Sequence, residues 1–181
     1  MAKYGKLGDG ESVARGNLLL ADLAMAEGAF DRAHELAAAA LQYFDATADV
    51  DHRSAAHERL ARLELGRGHV PLARAEVARA LATAPAEPRF ELRVRLALTE
   101  ARLQAAEGHA HAAHKQLERW IATCARAGFG GLTLEAQLAL LEVERGAGSP
   151  SAAAIRRRAT ALQQQARRRG FVVIADRAAQ L

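Results

Sequence analysis

The chain has 181 residues, 50% of them hydrophobic and only 4% aromatic, with a formal net charge of +4. A core can be built at that length, but it must be filled with alanine and leucine rather than rings, which favours closely spaced helices over strands. One cysteine, Cys124, excludes an intramolecular disulfide framework or a cysteine-based zinc site, and no run of about 18 apolar residues is present, so a soluble cytoplasmic protein is expected.

Residues 1–10 are rich in glycine, carry no apolar stretch of signal-peptide type, and are read as a flexible arm. A single helical-repeat domain is expected over 11–181. Its signature is a period of 40 residues: Ala21, Ala61 and Ala101, then Leu23, Leu63 and Leu103, then Gly28, Gly68 and Gly108, then Ala33, Ala73 and Ala113. Periods of this length mark stacked supersecondary units, which present a surface more often than a catalytic pocket.

In the first unit, Val13, Leu20, Leu23 and Ala24 recur at helical spacing, Gly28 interrupts, and Phe30, Ala33, Leu36, Ala37, Ala40 and Leu41 resume the period. This predicts a helical hairpin, with glycine closing the first helix and the alanines letting two backbones approach. The second unit repeats the pattern through Leu60, Ala61, Leu63, Gly68, Ala73, Val77, Ala80 and Leu81, with Pro71 in a first helical turn and Pro85 ending the unit. The third uses Ala101, Leu103, Gly108, Ala113, Leu117 and Ile121. A less regular fourth contains Ala139, Leu141 and Gly146, then an apolar stripe at Ala152, Ile155, Ala159, Leu162 and Ala166, with four added residues before Gly170. Residues 172–181 are expected to form a short helix that covers the end of the stack.

These residues resemble the tetratricopeptide repeat family, best over 54–85 through Leu60, Ala61, Gly68, Ala73, Ala80, Leu81 and Pro85, and well over 14–41 through Leu20, Ala21, Gly28, Ala33, Ala40 and Leu41. The third unit departs from the pattern at Glu100 and Trp120. HEAT-type repeats have a similar length and stay open as a fold alternative. The stretch from Gly128 to Glu144 is similar to C-terminal repeat regions of bacterial signalling and regulatory proteins. The resemblance implies an all-α, right-handed superhelix of about four hairpins with a C-terminal capping helix. It also implies a concave face, lined by the first helix of each hairpin, that docks a peptide or helix.

In that register the peptide-binding candidates are Arg15, Leu18, Asp22 and Met25 in unit one, Arg59 and Arg62 in unit two, and Arg95 and Arg102 in unit three. Leu19, Glu58, Leu65, Leu98 and Thr99 share the face. Arg62 and Arg102 are repeat-equivalent, and two guanidinium groups one repeat apart suit an acidic partner. The bland alternative is a solvated face paired with Glu58, Glu64 and Glu100. The family's clamp for chaperone C-termini is not reproduced, because Leu18, Asp22 and Arg59 stand where Lys, Asn and Asn are required.

His109, His111 and His114 form the most metal-like cluster, but His69 and His34 hold two of the same repeat positions, so outer-face residues are expected and no metal or cofactor is assigned. The arginine triplets at 156–158 and 167–169 give a basic face on one helix; with no interleaved aromatic residue, a solvated face is expected rather than a nucleic-acid site. Trp120 and Cys124, one turn apart, are read as core. No phosphate loop, nucleophile elbow or tuned carboxylate pair is present, so no catalytic residue is assigned and no enzyme is expected. The function expected is a protein-interaction module. The alternatives are an effector-binding or regulatory domain of a larger bacterial signalling protein, and a self-associating scaffold in which Leu18, Leu19 and Met25 are buried in a homodimer.

Overall fold

A computed structural model describes residues 4–148 and 150–181, with side chains described from Gly10 onward. Among the described residues it contains nine α-helices and no strand: α1 (Tyr4–Ala26), α2 (Phe30–Ala46), α3 (Val50–Gly66), α4 (Val70–Thr83), α5 (Phe90–Ala106), α6 (Ala110–Arg126), α7 (Gly130–Gly146), α8 (Ala152–Arg168) and α9 (Val172–Ala179). Helix α1 begins inside the stretch 1–10 that the composition sets apart as an arm; Met1–Lys3 lie outside the described residues. No helix is long and apolar enough to cross a membrane among the described residues. By compactness the chain divides into two units, Met1–Leu96 and Ala97–Leu181, with the boundary inside α5.

The structural cadence is half the sequence period. Helices α2, α3, α5, α6, α7 and α8 are each 17 residues long, and helix starts fall at 30, 50, 70, 90, 110 and 130 before a two-residue shift to 152 and 172. Except between α4 and α5, where Ala84 leaves the helix in an extended conformation, each turn carries a residue of positive φ. Gly28 adopts a φ of +76°, its N–H reaches the Met25 carbonyl, and the Ala29 N–H reaches back to Ala24 at 2.9 Å. This pair of bonds satisfies the last carbonyls of the helix and requires the left-handed conformation that glycine adopts without strain. The fourth-hairpin turn is made by Gly148, at a φ of +69°, and not by Gly146, which is the last residue of α7. Between α2 and α3 a non-glycine, Ala48, takes the same role at a φ of 55°.

In unit 1, helices α1, α2 and α3 pack on one another through small residues. Leu60 inserts between Ala21 and Ala37, and Leu63 between Ala24 and Ala33. Ala14, Leu18, Ala40 and Ala56 surround Phe44. Helix α5 enters this unit through Leu92 and Leu96, which meet Ala80 of α4. In unit 2, Leu134, Leu138 and Leu141 of α7 pack on Ala159, Leu162 and Ala166 of α8, and Ala175 and Ala178 of α9 close over them. Ala73 is fully buried in α4, and Ala73→Leu is expected to cost about 1–3 kcal/mol by overpacking, measured by chemical denaturation; an unchanged transition would refute the close helix contact.

Several positions assigned to the core by periodicity are not there. Val13, Leu20 and Leu23 are 62%, 47% and 43% exposed, whereas Leu60 and Leu63, the repeat equivalents of the last two, are buried. The difference is that α3 lies against a preceding hairpin while this face of α1 is open. Leu81, in the last turn of the 14-residue α4, is exposed too. Conversely, Leu18 and Leu98, placed on the open face by the register, are buried, because neighbouring helices cover the flanks of that face as well as its base. Trp120 is half-buried rather than core, and Cys124 is buried with a free thiol, which burial first and Glu135 second push above the usual range.

Candidate functional site

The register position at 22, 62, 102 and 142 carries Asp, Arg, Arg and Glu, one each on α1, α3, α5 and α7. Stacking of hairpins turns this sequence spacing into two ion pairs, each linking residues one full repeat apart: Asp22 with Arg62 in unit 1, and Arg102 with Glu142 in unit 2.

In unit 1 three guanidinium groups converge on Asp22. Arg62 donates to Oδ1. Arg59 donates to Oδ2 at 3.2 Å, and Arg95 Nη1 lies 3.7 Å from the same oxygen. Arg59 is held in place by backbone acceptors, the Leu18 carbonyl at 3.3 Å and the Ala55 carbonyl at 3.0 Å. Glu58, almost wholly buried, lies 3.3 Å from Arg62 Nε and 3.9 Å from Arg59 Nη1. Glu58 occupies the register of Leu18, Leu98 and Leu138, so a carboxylate stands where the other hairpins place a leucine. It remains there beside two fixed cations, as a buried charge requires. Burial by itself would raise the Asp22 pKa, but the fields of Arg62, Arg59 and Arg95 and the Arg62 hydrogen bond outweigh it and hold the carboxyl below its usual range.

In unit 2 Glu142 is clasped from two sides, by Arg102 Nε at 2.8 Å and by Arg177 Nη2 of α9 at 2.6 Å. Burial again opposes the charged form, and the two guanidinium groups again prevail, so the Glu142 pKa is lowered. Arg102 Nη2 is buried and has no hydrogen-bond partner among the described residues. Glu100 behaves oppositely. It stands in the slot of Leu20, Leu60 and Leu140, and burial raises its pKa.

Of the sequence candidates, Asp22, Arg59, Arg62 and Arg95 are brought together, with the Leu18 backbone contributing an acceptor. Arg102 lies in the other unit. Arg15 is exposed beside Glu11 at 3.7 Å, and Met25 packs on the cluster of Ala24, Ala33 and Leu63 instead of presenting a free side chain. The bland alternative holds in part: Arg62 does pair with Glu58, but Arg62 and Arg102 are only 10% and 12% exposed and also engage Asp22 and Glu142, not Glu64 or Glu100. Glu142 and Arg177 were not candidates. Reading charge along the 40-residue register beyond Arg102 would have found Glu142; nothing in the repeat announces Arg177, which comes from the terminal helix.

The histidine cluster disperses. His109 is at the N-cap of α6 without a side-chain capping bond, His111 is exposed, and His114 meets Glu144 at 3.1 Å. No group of three metal-ligating side chains occurs among the described residues. In the arginine triplets, Arg158 pairs with Glu144 at 2.5 Å and Arg167 with Asp176 at 3.5 Å, so both triplets are partly tied to the protein's own acids. No family model, curated protein or solved structure gives a significant match to the chain.

Proposed function

We propose that the protein is a non-catalytic interaction module of the cytoplasm, a tetratricopeptide-like right-handed stack of hairpins whose odd-numbered helices receive an acidic peptide or helix. The observation that carries this reading is the surplus of guanidinium over carboxylate at the repeat register: Arg59, Arg62 and Arg95 against Asp22 and Glu58, and Arg102 and Arg177 against Glu142. Internal carboxylates fix the arginine planes in advance, which lowers the entropy lost when a further carboxylate is bound.

The test is titration of a labelled Glu-rich peptide against the full chain, with a Lys-rich peptide of equal length as control. The acidic peptide is expected to bind with an affinity that falls as salt is raised. Arg102→Lys, which keeps the charge but loses the second nitrogen, is expected to weaken binding about tenfold, the equivalent of ~1.4 kcal/mol. Equal affinity for the two peptides would refute the proposal.

A further inference from the structure

Helix α1 carries one apolar face that no described residue of its unit covers. Val13, Leu20 and Leu23 lie on it, and Leu19, 67% exposed, flanks it. Leu20 and Leu23 are the register equivalents of Leu60 and Leu63, which in α3 insert between the alanines of a preceding hairpin. The open face is thus the same kind of surface that α3 buries inside the chain.

Gly16 supplies a second, independent observation. Glycine in a helix interior weakens it, and among the described residues the other glycines inside or closing helices mostly have a steric reason to be there. A Cβ on Gly10 would strike the Tyr43 ring at 2.7 Å, one on Gly66 the Phe30 ring at 2.9 Å, and one on Gly131 the Phe171 ring at 2.8 Å. At Gly16 nothing lies within 4 Å. Gly146 is also open, but it is the final residue of α7, where helix propensity matters little. The glycine in the middle of α1 therefore lies on the open face with no internal neighbour to explain it.

The four positions 13, 16, 20 and 23 have the spacing of a coiled-coil seam, with Val13 and Leu20 in one class and Gly16 and Leu23 in the other. An antiparallel seam faces members of one class with members of the other. Two copies of this helix laid antiparallel, with the two-fold axis beside residue 18, set Val13 opposite Leu23 and Leu20 opposite Gly16, and each pairing occurs twice. The glycine then accepts the leucine of the second copy. Head-to-tail pairing has no such receptor, since the equivalent surface of the last hairpin is filled by α9 through Ala175 and Ala178.

We infer that the occupant of the α1 face is a second copy of this chain, joined through an antiparallel α1 pair centred on Gly16 and Leu20. This dimer leaves Asp22, Arg59 and Arg62 on another side of α1 and α3, so it is independent of peptide binding.

The experiment is the mass of the full chain in solution by light scattering or sedimentation, over a concentration series reaching the millimolar range. The expected mass is twice 19.4 kDa. Leu20→Glu is expected to return the monomer mass with unchanged helical circular dichroism, while Leu72→Glu, at an exposed leucine of α4, leaves the dimer intact. Should Leu20→Glu lose helicity, Val13→Glu gives the same readout from a position that is still more exposed. A wild-type chain that stays monomeric throughout, or a dimer that both α1 variants retain, would overturn the inference.

Discussion

Asp22→Ala is expected to destabilise the protein by about 3 kcal/mol, the lower part of the range for removing one partner of a buried charge cluster. The loss leaves Arg59 and Arg62, which are 8% and 10% exposed, facing each other with only Glu58 between them. Glu58 compensates in part, which is why the lower part of the range applies. Asp22→Asn keeps an acceptor oxygen and is expected to cost less. Urea denaturation monitored by circular dichroism reads both, and an Asp22→Ala midpoint equal to wild type would show that the convergence of arginines contributes nothing. Acid gives the same answer without mutation. The folded pKa values of Asp22 and Glu142 are lowered, so their contribution is complete above the unfolded values and is lost as pH falls from about 4 through the lowered folded values. The stability of wild type should therefore fall more steeply below pH 4 than that of Asp22→Ala.

Phe44→Ala is expected to cost about 3–5 kcal/mol. Phe44 is fully buried, stacked on the His52 ring at a centroid distance of 4.9 Å and edge-on to Tyr43 at 5.6 Å. Its surroundings are mostly alanines, Ala14, Ala40 and Ala56, whose short side chains cannot move in to fill the void. Phe44→Leu, which keeps most of the volume, should recover the larger part of the loss. The measurement is the shift in denaturation midpoint at constant slope. A loss below about 1 kcal/mol for Phe44→Ala would mean that the α1–α2–α3 junction collapses around the cavity.

Phe44 also shows where the sequence stops being informative. Its register equivalents are Ala84 and Cys124, so the repeat announces a small residue there and gives no hint of a ring; the compensating small residues sit on two other helices. The helical hairpins themselves are legible, because Gly28, Gly68 and Gly108 and the alanines that follow them recur with an invariant period and have one physical use each. The role of Ala48 in a turn of the same kind is not legible, since it depends on backbone conformation and not on residue type, whereas Gly148 stands 40 residues after Gly108 and carrying the glycine register on would have found it. Periodicity also treats all hairpins alike. It therefore assigns Leu20 and Leu23 to the core as firmly as Leu60 and Leu63, although only the latter pair is buried against another hairpin. For the candidate site the sequence selects the right face of the right helices but misjudges its state: Arg62 and Arg102 are identified as repeat-equivalent, and their engagement by Asp22 and Glu142 follows only from the stacking.

The side-chain links that tie these helices together are short-range along the polypeptide. The hydrogen bond from Arg59 to the Leu18 carbonyl spans 41 residues, and Asp22–Arg62 and Arg102–Glu142 each span 40. Little loop-closure entropy opposes such contacts, so the chain has the topology of a rapid folder in which one hairpin templates the next. Each 40-residue ion pair then acts as a rung between nearest neighbours, and cutting one should uncouple adjacent hairpins and broaden the unfolding transition before it abolishes structure.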